Sequence, residues 1–335
     1  MAKKGKKQFA RSVAFRKPMP QLEPQPATTT TQVNLSFYEA YTLALKEWKL
    51  AQIILAGCGG IGAHLADHIG RIIWVLSGLG VGVNLSLVDP DVVEEKNIGR
   101  QRFCPAEIGI PKAVALARRL SQAYGVNTMA YQAEYSENLI LPTAQLVLLV
   151  GCVDNYKARR ALSDTLAQNP EEPTPHALPR IWWVDCGNLK DTGRVLVGSA
   201  HQAEQVRGAF REKKRCISLP SPSLQYPSLL MPQREDVETR EMSCAELAAA
   251  NMQSLNINAA IAVQAADILT RLLITHDLKR YQCAVNVASG SVKSFYITPE
   301  EIAREIEKPA NYVICEDQPG GIQATGDHQL QAVVA

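Results

Sequence analysis

The stretch IILAGCGGIGAHLADHIG, residues 53–70, constrains the fold more than any other part of the chain. An apolar run of strand length gives way to Gly57, Gly59, Gly60 and Gly62, then to apolar residues at helical spacing. A G-x-G-x-x-G series between a strand and a helix has a mechanical meaning. Without side chains the backbone approaches a phosphate, and the amide N–H groups at the helix start point at its charge. Asp89 ends the next apolar run, GVNLSLVD, where a carboxylate accepts hydrogen bonds from ribose hydroxyls. Loop and acid together point to a nucleotide, equally NAD, FAD or ATP. The competing reading of a bare glycine loop is a tight turn.

Strand-like and helix-like segments alternate downstream. PKAVALARRLSQAYG reads as a helix opening at Pro111, NTMAYQAEY and AQLVLLVGCVD as strands, NYKARRALSDTLAQN as a helix and RIWWVDCGN as a strand. The order predicts an α/β fold: a doubly wound, mostly parallel, Rossmann-like sheet with helices on both faces. YQCAVNVAS and SVKSFYIT, around Gly290, extend it with antiparallel strands near the C-terminus. LSFYEAYTLALKEW reads as a helix ahead of the first strand. Residues 1–34 form a flexible basic and Pro/Thr-rich arm, 35–308 the domain, and 309–335 a loosely ordered tail. Within the domain the proline-rich segment 201–243 reads as a long, exposed crossing loop. It is followed by a long helical pattern through QAADILTRLL.

Composition narrows the class. A net charge of +2 gives no case for nucleic-acid binding. No uninterrupted apolar run approaches the roughly 20 residues of a membrane span. The basic N-terminus lacks the apolar core of a signal peptide, so a cytoplasmic location is expected. The eight cysteines are scattered without a CxxC pair, which argues against a disulfide framework and against a structural zinc site. His64 and His68, four apart, read as helix-face residues rather than a metal pair.

The segment LVDPDVVEEKNIGRQRF discriminates among nucleotides. A dehydrogenase needs little after its ribose acid, yet Asp89 and Asp91 are followed by Asn97, Arg100, Gln101 and Arg102, and then by Lys112 at a helix start. Arg100 and Lys112 suit a triphosphate: one offers a planar fork, the other a compact charge. CVDNYKARR puts Asp154 at a carboxyl edge of the sheet, where open α/β folds bind ligands. A carboxylate beside a triphosphate suits Mg²⁺, which takes one or two carboxylates plus phosphate oxygens. The plainer alternative makes Asp154 a helix N-cap and the basic residues a solvated face.

In order, GCGGIG, VDPDVVEEKNIGRQ, GIPKA, CVDNYKAR and QAADILTRLL resemble the ThiF/MoeB/HesA adenylating enzymes, relatives of the ubiquitin-activating enzymes. Within that family the arrangement resembles the stand-alone ThiF-type proteins of the bacterial ParB-related, ThiF-related cassette. The resemblance implies ATP-dependent adenylation of the C-terminal glycine carboxylate of a small ubiquitin-like or sulfur-carrier protein ending in Gly-Gly. It implies ATP and Mg²⁺, and a homodimer. By motif, Gly57, Gly59, Gly60, Gly62, Asp89 and Asp91 form the nucleotide pocket. Asn97, Arg100 and Lys112 contact phosphates, and Asp154 holds Mg²⁺.

Some relatives pass the acyl group to a cysteine. Cys244, which opens a helix after the crossing loop, matches the family's reactive position. Cys216, among cations in KKRCISLP, is its rival, and no catalytic cysteine is the third possibility. Cys58, Cys152, Cys186 and Cys283 read as core residues. Two other functions remain: an NAD(P)- or FAD-dependent oxidoreductase, or a non-catalytic nucleotide-binding scaffold.

Overall fold

The structure, a computed structural model, describes residues 35–232 and 255–315. Its centre is an eight-stranded sheet. In chain order the strands are β2 (Leu50–Ala56), β3 (Gly82–Val88), β4 (Thr128–Tyr131), β5 (Leu146–Gly151), β6 (Ile181–Asn188), β7 (Thr192–Gly198), β10 (Arg280–Asn286) and β11 (Ser291–Tyr296). Across the sheet the order is β11-β10-β7-β6-β5-β2-β3-β4. From β6 to β4 all neighbours are parallel, while β7, β10 and β11 add on antiparallel. This is the predicted doubly wound sheet with its C-terminal hairpin. β1 (Thr42–Leu43), β8 (Phe210–Arg211) and β9 (Arg215–Cys216) form a small separate sheet.

The apolar strands are continuous because both faces are covered. Ile53 and Leu55 of β2 pack with α2 (Gly60–Gly78), α3 (Lys112–Tyr124) and α6 (Leu255–Thr270), whereas Ile54 joins Leu149, Trp183 and Leu162 of α4 (Tyr156–Thr165) on the other side. Ile53, Ile54 and Leu55 are fully buried, which stabilises the fold by roughly 1.5–3 kcal/mol each. α6 and the π-helical turn after it, 256–275, are long and apolar enough to span a membrane by length and composition. Here that apolarity lies against the sheet and α2, with Ile257, Ile261, Ala265 and Ile268 fully buried.

Four sequence expectations change. The helix expected over residues 35–48 is only Ser36–Glu39, because Thr42–Leu43 pairs instead with Arg215–Cys216. The third strand stops at Tyr131 rather than running to Tyr135. The crossing segment is exposed only in part: Glu212 to Arg215 lie at the surface, but the proline-bearing stretch that follows is buried. Ile217 to Ser223 are buried, and Ser199 and Ala200 both donate backbone hydrogen bonds to the Leu219 carbonyl. Beyond Pro309, a helical turn at Ala310–Val313 buries Val313 against the core.

The start of α2 is set by close backbone approach. Gly57 has φ +89°, and a Cβ there would stand 2.5 Å from the Cys152 carbonyl oxygen. A Cβ on Gly62 would stand 1.9 Å from the Gly57 carbonyl oxygen. Gly62→Ala is therefore expected to destabilise the protein by at least ~1–3 kcal/mol through overpacking against rigid backbone. Gly78→Ala, with open space around it, should be neutral or stabilising by up to about 1 kcal/mol. Urea denaturation midpoints compare the two.

Candidate functional site

The cleft lies over the carboxyl edge of the parallel strands and has a volume of about 1050 Å³. Its lining includes Gly57, Gly59, Gly60, Asp89, Asp91, Asn97, Arg100, Lys112 and Asp154. Gly62 lies one turn behind, where it lets α2 seat on the loop. Of the predicted site residues only Cys244 lies outside the described residues.

Asp89 follows β3 and is buried at 5% exposure. Its two oxygens accept from the Cys58 N–H at 2.6 Å and the Asp91 N–H at 2.9 Å, joining the glycine loop to the loop after β3. Burial pushes its carboxyl up, and those two N–H groups and the Lys112 ammonium work against the rise. Lys112 opens α3, with its side chain 7% exposed, and its ammonium meets the Asp91 carboxylate at 2.7 Å. Asp91 is itself 64% exposed, so a phosphate entering the cleft competes with it on favourable terms.

Asn97 is buried, and its Oδ1 accepts from the Glu94 N–H, pinning the turn that carries Arg100. Arg100 is half-buried, and its carbonyl accepts from Asn258 Nδ2 at 3.1 Å. Arg102 does not join the cleft: it faces Asp67 of α2 at 3.5 Å. The N-cap of α4 is Asn155, whose Oδ1 accepts from the Ala158 N–H at 2.8 Å. The capping alternative for Asp154 is thereby removed, and Asp154 stands exposed at the cleft edge. As a single exposed carboxylate on the cleft lining, Asp154 could hold Mg²⁺ only with phosphate and water oxygens completing the shell. Among the described residues no cluster of three or more ligating side chains forms a closed metal cage.

Cys216 is fully buried, and burial pushes its thiol up to about 12. It cannot supply a thiolate nucleophile at neutral pH, which corrects its standing as a rival transfer residue. Cys58, Cys186 and Cys283 are buried as expected, and Cys152 is intermediate.

Several cleft residues escaped the sequence reading. Asp185 of β6 is fully buried, receives Arg159 Nε at 3.2 Å, and leaves its Oδ2 without a partner. Asn258 bridges the Arg100 carbonyl and Asn188, and the missing Cβ of Gly60 makes room for it. A signal for Asp185 was present: three apolar runs of the sequence close on Val-Asp, at Val88–Asp89, Val153–Asp154 and Val184–Asp185, although β6 itself continues to Asn188. Asn258 has no comparable pattern.

The glycine loop, the buried Asp89 and the Arg100–Lys112 pair thus lie together at the carboxyl edge of a Rossmann-like sheet. Residues 30–299 match the ThiF family, and the chain belongs to it. The ubiquitin-like modifier-activating enzyme 5 of Drosophila mojavensis is 30% identical over 131 residues, covering 35% of this chain and 31% of that protein. The mouse adenylyltransferase and sulfurtransferase MOCS3 is 35% identical over 119 residues, covering 34% and 24%. The chain thus spans a third or less of the curated relatives it matches. Among solved structures, PaaA matches 74% of this chain and 64% of its own, with 15% identity and a TM-score of 0.47. E. coli MccB with ATP matches 74% and 65%, with 14% identity and a TM-score of 0.46.

Burial raises the Asp185 carboxyl above its ordinary range, opposed by Arg159. The native chain then keeps a proton that the unfolded chain gives up first. Stability therefore falls as pH rises from about 3.9 through the elevated native value. Asp185→Asn, which retains an acceptor for Arg159, is expected to flatten that slope in urea midpoints measured from pH 4 to 7. Parallel slopes would contradict it.

Proposed function

We propose that the protein adenylates the C-terminal glycine carboxylate of a small ubiquitin-like or sulfur-carrier protein at the expense of ATP. The observation that carries the reading is the meeting of Asp89, Asn97, Arg100, Lys112 and Asp154 with the glycine loop in one cleft. The relatives named above as an activating enzyme and an adenylyltransferase support it.

In this reading the backbone of Gly57, Gly59 and Gly60 cradles phosphate and Asp89 receives the ribose hydroxyls. Asp91 releases Lys112 to a phosphate oxygen, and Arg100 takes another. The carboxylate oxygen bonds to the α-phosphorus as the bond to pyrophosphate breaks, giving an acyl-adenylate. The obstacle is repulsion between a carboxylate and a triphosphate, so the residues act by positioning and by placing cations where charge concentrates. Asp154 would hold Mg²⁺, which neutralises phosphate charge. Transfer to Cys244, a homodimeric assembly and a cytoplasmic location belong to the same proposal. A hydride-transferring reading leaves Arg100, Lys112 and Asp154 without a role.

Pyrophosphate exchange tests it. With a Gly-Gly-terminated carrier present, labelled pyrophosphate should enter ATP, and Asp154→Ala should lower the rate on the order of 10²-fold or more. Because Asp154 is exposed, its substitution should leave stability within about 0.5 kcal/mol. Tight NADH binding with no response to ATP would overturn the reading.

A further inference from the structure

The nucleotide residues account for one end of the cleft. The other end has a floor made by the antiparallel half of the sheet. There Gly187, Arg194, Ala284 and Lys293 are aligned partners on β6, β7, β10 and β11, one row across four strands. Directly opposed residues of antiparallel strands share a face, so Arg194 and Lys293 project from the same side of the sheet. Both line the cleft.

The two cations are held rather than loose. The Arg194 guanidinium lies 3.9 Å from the centre of the Tyr226 ring, and the Tyr226 hydroxyl accepts from Gln282 Nε2 at 2.7 Å. The Lys293 ammonium lies 4.7 Å from the centre of the Phe295 ring. Among the described residues neither cation joins a salt bridge. Asp185, at the near end of this floor, is already engaged by Arg159. Arg194 also acts electrostatically on that carboxylate, but no acid ties it or Lys293 into an ion pair among the described residues, so the floor presents cations free to meet a ligand in a groove that runs into the nucleotide pocket.

We propose that this floor binds the stretch of the carrier immediately before its terminal glycines and selects acidic side chains there; this rests on the adenylation reading. The tail crosses the strands from the β11 edge and delivers its carboxylate to the edge of β2 and β5, where the glycine loop meets Asp154. Strands lie about 4.8 Å apart and an extended peptide advances about 3.3 Å per residue. Arg194, two strands from β5, then meets a side chain about three residues before the terminal glycine, and Lys293, four strands away, one about six before. At the nearer position the guanidinium fork suits a bidentate carboxylate. At the farther one the ammonium serves as a point charge.

The test uses the full chain and fluorescent decapeptides with a free C-terminal Gly-Gly, carrying Asp, Asn or Lys at the third or sixth position before the last glycine. Anisotropy without ATP reads binding. The Asp peptides should bind about tenfold more tightly than the Asn peptides, and the Lys peptides should bind worst. Lys293→Glu, at an exposed position, should reverse the preference at the sixth position to Lys. Arg194→Gln should abolish the preference at the third. Equal binding of all peptides by the wild type, no measurable binding of any, or an unchanged preference in Lys293→Glu overturns the proposal. Pyrophosphate exchange with the same peptides separates it from the reading beneath it. Acid-selective binding without exchange leaves the groove standing and removes adenylation, whereas exchange without charge preference does the reverse.

Discussion

The site hangs on the carboxylate of Asp89. A buried carboxylate is tolerable only when its lone pairs are satisfied, and here two backbone N–H groups from different loops do so. One belongs to the glycine loop and the other to Asp91, so a single side chain fixes the spacing between the phosphate cradle and the segment leading to Lys112. The backbone N–H of Lys112 donates in turn to the Asp91 carbonyl at 3.0 Å. On the proposed reading a nucleotide would meet donors already in place, with little ordering left to be done on binding.

Topology explains why that joint sits where it does. From β2 the chain winds outward through β3 and β4, then returns to lay down β5 and β6 on the other side. The crevice falls between β2 and β5, where the winding reverses. The glycine loop leaves β2 and Asp154 follows β5, so neighbouring strand ends supply the cradle and the acid. The antiparallel strands β7, β10 and β11 have no helix-crossover constraint of this kind, and their face beside α4 stays polar enough to extend the cleft.

Much of this was legible in the sequence because it follows from local patterns. Strands buried on both faces read as apolar runs, and the glycine loop betrays itself by composition and context. What was not legible depends on tertiary pairing. The segment after Leu35 has helical spacing, but Thr42–Leu43 finds a strand partner more than 170 residues away, and a short helix does not outweigh that pairing. Prolines in 217–223 suggested exposure, yet the segment docks on Ser199–Ala200 and takes Cys216 with it into the core. Asp185 looked like part of a buried strand, which it is. Its role depends on Arg159, 26 residues earlier, reaching it from α4.

The cations around the cleft divide by the exposure of their partners. Arg159 is tied to a carboxylate with no exposure, so exchanging that partner for a ligand would strand a buried charge. It is therefore a positioning residue that holds β6 against α4. Lys112 is tied to a carboxylate that is mostly in water, so Asp91 could return to solvent if an anion took its place. Arg100 and Lys293 join no salt bridge among the described residues, and Arg194 acts only on the Asp185 carboxylate that Arg159 already engages. The same residue types thus do different work across one cleft, and the depth of each partner, more than distance to it, decides which charge a ligand can claim.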